Sequence, residues 1–346
     1  MARKGGSIIQ YPVVTTPDVE GLLVSRELDH GRIHPVTGGW SYWTFEVGLS
    51  AHDDHADSST PGWIFRFPRN RVVTENLQKE QAILPVVAPR INFAVPRFEH
   101  VGTWRDQPYA GYRRIPGRPL SSRPFTGSKI VDEVAESIAS TLSSLHDIPT
   151  LLVAEACAVE PTVDAWRQHY RALRETVRAR ISPLLDSRMR EVVERGFSRF
   201  LDEELATLED VALVHCDLGC EHILIEEDGT TVTGLIDFED VTIGDPTIDF
   251  VGIYVTYGME AVDRIRDCYQ RRSNGQRGSD GQRASDIQRP LGVRRALDVN
   301  FVNRLQFYTW MASCHEVIYG LEEGKSYLVE EGIAGLQARL DHAGLL

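Results

Sequence analysis

The sequence predicts an α+β chain in which a small sheet with one helix precedes a larger, mostly helical region. Three observations carry this. Residues 33–115 alternate β-rich runs with Gly, Pro and Asp turns. From about residue 128 the apolar period lengthens, with Ile130, Val134, Ile138, Leu142 and Leu145 recurring at steps of 4, 4, 4 and 3. Beyond that, residues 161–209 and the chain after 245 read as helices around one short polar and β-rich stretch, LVHCDLGCEHILI at 213–225.

The elements follow in order. GWSYWTFEV (39–47) is aromatic and β-branched, with a Gly-Gly turn before it, and reads as a strand. HDDHADSSTPG (52–62) is a polar loop, and WIFRFP (63–68) is a second strand stopped by Pro68. Residues 71–87 carry Leu77, Ala82, Ile83 and Leu84 on one side and form the single expected helix of this part. VPRFEHVGTWRDQPYAGYRRIPG (95–117) reads as a β-hairpin and a turn. Later, ILIEEDGTTVTGLID (223–237) is a hairpin around an Asp-Gly turn, and Phe301, Leu305, Tyr308, Ala312 and His315 share one helical face. Residues 271–293, rich in Gly, Ser, Gln, Asp and Arg, bury almost nothing and read as a solvated loop or insertion; the functional alternative is a basic flap over a phosphate-bearing ligand.

Composition narrows the function classes. The chain has 346 residues, 42% apolar and 25% charged, as in an ordinary globular protein with a sizeable core. A net charge of −13 argues against non-specific nucleic-acid binding and is compatible with a cationic small-molecule substrate. No apolar run reaches the ~18–20 residues of a membrane span, and the N-terminus lacks the pattern of a signal or transit peptide. Five scattered cysteines suit reduced thiols and a cytoplasmic location better than a disulfide framework. Arginine outnumbers lysine 33 to 4, which base composition of the gene explains without any functional appeal.

The chemistry concentrates in residues 213–225. His215, Cys216, Asp217, Cys220 and His222 first suggest zinc, but no second ligand pair follows, and the adjacent His215 and Cys216 point apart in a strand. The pattern reads better as H-x-D-x4-H, a short strand, a turn and a second strand closing on Asp237, with GDPTIDF at 244–250. Phosphoryl transfer needs a group that orients a hydroxyl nucleophile and takes its proton, together with ligands that hold Mg2+ across the phosphates. Asp217 fits the first role, and His222 and Asp237 fit the second.

This set of motifs resembles the protein-kinase-like fold and, within it, the aminoglycoside phosphotransferase family, whose pattern is H-x-D-x4-N, a hairpin ending I-D-[FWD], and G-D-x3-D. The chain supplies HCDLGCEH, LIDFED and GDPTID. His222 stands where the family has asparagine, a feature shared with the 2″-phosphotransferase branch. The resemblance spans about residues 35–325. It implies a bilobal chain, with residues 1–114 as a nucleotide-binding lobe, 115–346 as a catalytic and substrate-binding lobe, and a hinge at 109–117.

The resemblance also places Arg66 where the family carries its phosphate-contacting lysine, with Glu80 as its partner. Ser41 falls in the loop over the phosphates, TGGWSYW (37–43), and Arg113 and Ile115 at the backbone that would meet the purine. Tyr112 there would favour GTP over ATP. STLSSLHDIP (140–149) is similar to the family helix ending L-x-x-L-H. The implied activity is Mg2+-dependent transfer of a phosphoryl group from ATP or GTP to an antibiotic hydroxyl, with an aminoglycoside as the first expectation. Glu239, Asp240 and Glu316 are the acids available to a cationic acceptor. A macrolide, a nucleoside antibiotic in a self-protecting producer, or a small metabolite would use the same constellation. A nucleotide-binding pseudokinase is the non-enzymatic alternative, opposed by the presence of both Asp217 and Asp237. Oligomeric state and the hydroxyl modified are not legible in the sequence.

Overall fold

The computed structural model describes residues 10–49, 62–122, 131–227, 229–273 and 297–346. The chain divides into two compact units. One contains the described residues of 5–124 together with 220–241; the other contains those of 125–219 and 242–346. The expected lobe boundary at 114/115 differs from this division. The break comes ten residues later, and the strands of 220–241 group with the first unit.

The first unit is built on a five-stranded antiparallel sheet in the order β1 (Ile33–Val36), β2 (Tyr42–Val47), β3 (Trp63–Pro68), β5 (Gln107–Arg113), β4 (Phe98–Trp104). Strand alternation gives it two apolar faces. Phe45, Val47, Phe65, Phe67 and Tyr109 pack with Val19, Leu22 and Leu23 of α1 (Thr16–Ser25). Tyr42 and Ala110 pack with Val73 and Leu77 of α2 (Arg71–Val87). Only α2 was expected from the sequence. The start of α1 is nonetheless written in TTPDVE, where Thr15 Oγ1 and its backbone N–H both meet Asp18, and Pro17 occupies the first turn. Its three buried apolar residues are too few to show as a period.

A second sheet, β6 (Arg118–Pro119), β8 (Ile223–Ile225) and β9 (Val232–Leu235), joins the hairpin to this unit. Ala94 ties it further, donating to the Thr233 carbonyl at 2.8 Å and accepting from Leu235 at 2.9 Å. These pairings are why 220–241 groups with the first unit.

The second unit is helical: α3 (Asp132–His146), α4 (Ala154–Cys157), α5 (Val163–Arg180), α6 (Ser187–Arg199), α7 (Val251–Ser273), α8 (Phe301–Glu323) and α9 (Ser326–His342), with the two-stranded ladder of β7 (Ala212–Val214) and β10 (Thr242–Gly244). The expected stripe of α3 is buried at Val134, Ile138, Leu142 and Leu145, while Ile130 lies outside the described residues. Helix α7 turns at Gly258, whose φ of +77° suits glycine. Of the insertion foreseen at 271–293, Arg271 to Ser273 finish α7, with Arg272 Nε donating to Glu136 of α3 at 2.8 Å. The remainder lies outside the described residues, as does nearly all of the expected loop at 52–62. Stacked Phe200 and Phe307, with centroids 3.7 Å apart, join the chain after α6 to α8. Among the described residues no helix is long and apolar enough to cross a membrane.

Candidate active site

In the first unit, β3 turns Phe65 and Phe67 toward α1 and leaves Arg66 facing α2, where Glu80 projects. The two meet fully buried: Arg66 Nη1 donates to Glu80 Oε1 at 3.1 Å, and Nη2 lies 3.0 Å from Oε2. The guanidinium also sits 3.8 Å from the Tyr42 ring centroid, and Nη2 is 3.5 Å from Asp237 Oδ1. Burial works against the charge on Arg66, but Glu80, Tyr42 and Asp237 outweigh it and hold the group firmly protonated. Burial pushes the Glu80 carboxyl up against the pull of Arg66. Tyr112 is buried and packed edge-on against Phe98.

The hairpin of β8 and β9 brings His222 and Asp237 to this cluster. Ile236 N–H donates to the His222 carbonyl at 3.1 Å, setting their register, and His222 Nε2 lies 3.8 Å from Asp237 Oδ2. Asp237 has a left-handed φ of +66°, a conformation that costs energy away from glycine. Its Oδ1 is buried and accepts no hydrogen bond. A carboxylate with one oxygen free of hydrogen bonds and the other near an imidazole nitrogen fits a divalent cation. Mg2+ is commonly held by one or two protein groups, with phosphates and water completing the shell. Among the described residues no group of three or more His, Cys, Asp or Glu could cage a metal alone, so a cation here needs those outside ligands.

Ser41 reaches the cluster through Glu239, to which its Oγ donates at 2.7 Å. Burial, then Asp237 and Asp240, push the Glu239 carboxyl up to about 8. Glu239, one of the acids available to a cationic acceptor in the sequence, is thus tied to the loop preceding β2. In that loop Gly38 has φ +104°, and a Cβ on Gly38 or Gly39 would touch nothing within 4 Å. Arg113 stacks on Trp63 at 3.7 Å, and Ile115 packs against Gly234. Between them, Arg114 N–H donates to the Gly62 carbonyl at 2.8 Å.

The loop carrying Asp217 belongs to the second unit. β7 is wholly buried and ends on fully buried His215; Cys216 then takes a left-handed φ of +70°, which turns Asp217 out to solvent. Buried Asp249 pins this turn: Oδ2 accepts from His215 N–H at 2.9 Å and Oδ1 from Cys216 N–H at 2.9 Å. Asp249 is itself held by His146 Nε2 at 3.0 Å, whose Nδ1 meets the Tyr269 hydroxyl at 3.0 Å. The chain of α7 also presses on the loop, since a Cβ on Gly252 would lie 2.2 Å from the Leu218 carbonyl oxygen.

Beneath it, Asp245 Oδ2 accepts from Arg304 Nε at 2.7 Å and from the Tyr308 hydroxyl at 2.9 Å, all buried. The sequence reading grouped Asp245 and Asp249 by motif but missed Arg304, whose position inside an apolar helix was the available signal. It also missed Tyr42 as the ring beneath Arg66.

A sheet unit with a buried Arg–Glu pair, a carboxylate-bearing hairpin beside it, and a helical unit presenting an exposed aspartate on a pinned loop together define a kinase-like phosphotransferase. Residues 32–284 match the phosphotransferase enzyme family, and the chain belongs to that family. It is 29% identical over 231 residues to viomycin phosphotransferase of Streptomyces vinaceus, covering 63% of this chain and 76% of the relative. Among solved structures it is similar to the GDP complex of aminoglycoside 2′-phosphotransferase-IIIa, with a TM-score of 0.74 and 19% identity over 95% of this chain and 100% of that one. It is also similar to macrolide 2′-phosphotransferase type I, with a TM-score of 0.68 and 20% identity over 94% of this chain and 99% of that one. The architecture is thus the α+β, protein-kinase-like one.

Proposed function

We propose that the chain transfers the γ-phosphoryl group of ATP or GTP to a hydroxyl of an antibiotic, with Mg2+, in the cytoplasm. The observation that carries this is Asp237, whose buried Oδ1 accepts no hydrogen bond and lies 3.5 Å from Arg66 Nη2 while its Oδ2 lies 3.8 Å from His222 Nε2. His222 and Asp237 would hold the cation, and Arg66, aligned by Glu80, would contribute positive charge near the phosphates. Bound Mg2+ would offset charge on the phosphate oxygens during transfer. Ser41 and the open Gly38–Gly39 turn would cover the phosphates, and the backbone from Arg113 to Ile115 would meet the purine.

Asp217 would orient the acceptor hydroxyl and take its proton as the oxygen bonds the γ-phosphorus and the bond to the nucleoside diphosphate breaks. An aminoglycoside acceptor is supported by the structural neighbours and by the acidic balance of the chain. A second reading, a viomycin-like antibiotic, is supported by the viomycin phosphotransferase likeness. GTP use is supported by the GDP-bound neighbour.

The test incubates the protein with kanamycin, viomycin or a macrolide and either nucleotide, and reads the antibiotic by mass for an added phosphoryl group. Asp217→Asn is expected to lower kcat by about 10²–10⁴-fold. Transfer by that variant at near the wild-type rate would remove Asp217 from the mechanism.

A further inference from the structure

The two buried aspartates of the second unit, Asp245 and Asp249, are satisfied at both oxygens. Asp249 accepts through each of its two, and Asp245 accepts from Thr247 N–H at 3.0 Å on Oδ1 and from Arg304 and Tyr308 on Oδ2. Glu239 in the first unit is not. Its Oε1 accepts from Ser41 Oγ at 2.7 Å, whereas its Oε2 is buried without a hydrogen-bond partner. An acceptor left unpaired out of water costs stability, so packing alone gives no reason for an acid here.

The bond to Ser41 supplies one. Ser41 is the last residue of the turn between β1 and β2. Its backbone is held from another direction: Arg69 N–H donates to the Ser41 carbonyl at 2.9 Å. The Arg69 side chain adds to this, with Nε donating to the Tyr42 carbonyl at 3.2 Å and the guanidinium 3.9 Å from the Trp43 ring centroid. The foot of the turn is thus fixed at its main chain by Arg69 and at its side chain by Glu239. Its tip is open, with nothing within 4 Å of a Cβ built on Gly38 or Gly39. A serine hydroxyl carries a single proton, and here that proton goes to Glu239. While this bond stands, Ser41 serves the turn as an anchor and not as a phosphate donor.

Glu239 lies two residues beyond Asp237, on the segment that leaves β9. One short stretch therefore carries both an aspartate suited to the cation and the acceptor that anchors the turn. We propose that Glu239 is a positioning residue for the nucleotide, which by holding Ser41 keeps the turn of 37–41 over the phosphates and slows nucleotide release. This rests on the reading of that turn as the cover of the phosphates.

The test is stopped-flow release of fluorescently labelled ADP and GDP, with Mg2+, from wild type, Ser41→Ala, Glu239→Ala, Glu239→Gln and the double alanine variant. Ser41→Ala is expected to release nucleotide about ten-fold faster than wild type, the weight of one hydrogen bond. Glu239→Ala should release it about ten-fold faster than Glu239→Gln, which also lacks the charge but keeps an oxygen acceptor. Adding Ser41→Ala to Glu239→Ala should change nothing further, because the bond is already gone. The thermal midpoint of Glu239→Ala should not fall, since an unpaired buried acceptor leaves with the side chain; an acid with a purely structural role would lower it. Amides of residues 37–43 in the nucleotide-free protein should exchange faster in both alanine variants. Release from Ser41→Ala at the wild-type rate, equal rates for Glu239→Ala and Glu239→Gln, additive effects in the double variant, or unchanged amide exchange would each overturn the assignment. A wild type that binds neither nucleotide would sink the reading of the turn as a phosphate cover, whereas a wild type that binds and variants that match it would sink the role of Glu239 alone.

Discussion

Asp249→Asn is the sharpest probe of how the Asp217 loop is held. The wild-type carboxylate accepts three hydrogen bonds, from His215 N–H, Cys216 N–H and His146 Nε2, and is fully buried. Asparagine keeps the shape but turns one acceptor oxygen into an NH2 group. A backbone amide then faces a donor in a fully buried site, losing a charge-assisted bond and leaving a buried N–H unsatisfied, together about 2–4 kcal/mol. The cost does not stop at stability, because Cys216 occupies a left-handed conformation that itself costs ~1–2 kcal/mol and is maintained by one of these bonds. With the bond gone, the turn relaxes and carries Asp217 with it. A displacement of about 1 Å at a reacting group can cost on the order of 10²-fold in rate. The expected result is a thermal midpoint lower by roughly 3–6 °C and a kcat lower by about 10²-fold, with nucleotide KM nearly unchanged. Cys216→Gly in the same background should return part of the lost stability, since glycine adopts this φ unaided. A variant with wild-type kcat and midpoint would refute the view that Asp249 sets the loop.

Glu80→Ala should destabilise the protein by about 3–5 kcal/mol in denaturant unfolding, because it strands the buried charge of Arg66; a loss under about 1 kcal/mol would contradict the burial of that pair. Gly252→Ala places a methyl group 2.2 Å from the Leu218 carbonyl, and should cost about 1–3 kcal/mol and lower kcat while sparing nucleotide KM. Glu204 supplies the pH prediction. Burial pushes its carboxyl up from an ordinary 4.5 to about 7, against the opposing pull of Arg199 and Arg304. The folded state therefore holds a proton that the unfolded state has released, and stability should fall as pH rises from about 4.5 to about 7. Urea unfolding across that range should show the decline, and Glu204→Gln should flatten it; an unaltered slope would mean that another group is responsible.

Much of the fold is legible because its periods are clean. Strand alternation in WIFRFP puts Arg66 opposite the phenylalanines, and the step pattern of α3 predicts the buried positions Val134, Ile138, Leu142 and Leu145. The helix α1 is hidden because its evidence is a cap and not a period. The candidate site was readable where chemistry is compressed into short spacing, as in H-x-D-x4-H and the aspartate closing the hairpin. It was not readable where partners come from distant segments. Ser41 and Glu239 are 198 residues apart, and Arg304 and Asp245 are 59 apart. No local pattern announces a buried guanidinium or an acid whose partner is a serine in an early loop.

The hairpin of 220–241 has a consequence for how the chain can be divided. Its strands complete a sheet begun by β6 and satisfy the backbone of Ala94, yet they lie in sequence between two segments of the helical unit. No single cut therefore yields two whole pieces. A fragment ending at 124 would lack β8 and β9 and expose the edge they cover, while its complement would carry an orphan hairpin. Recombination or truncation near residue 124 should give insoluble products unless 220–241 is supplied on the same side of the break.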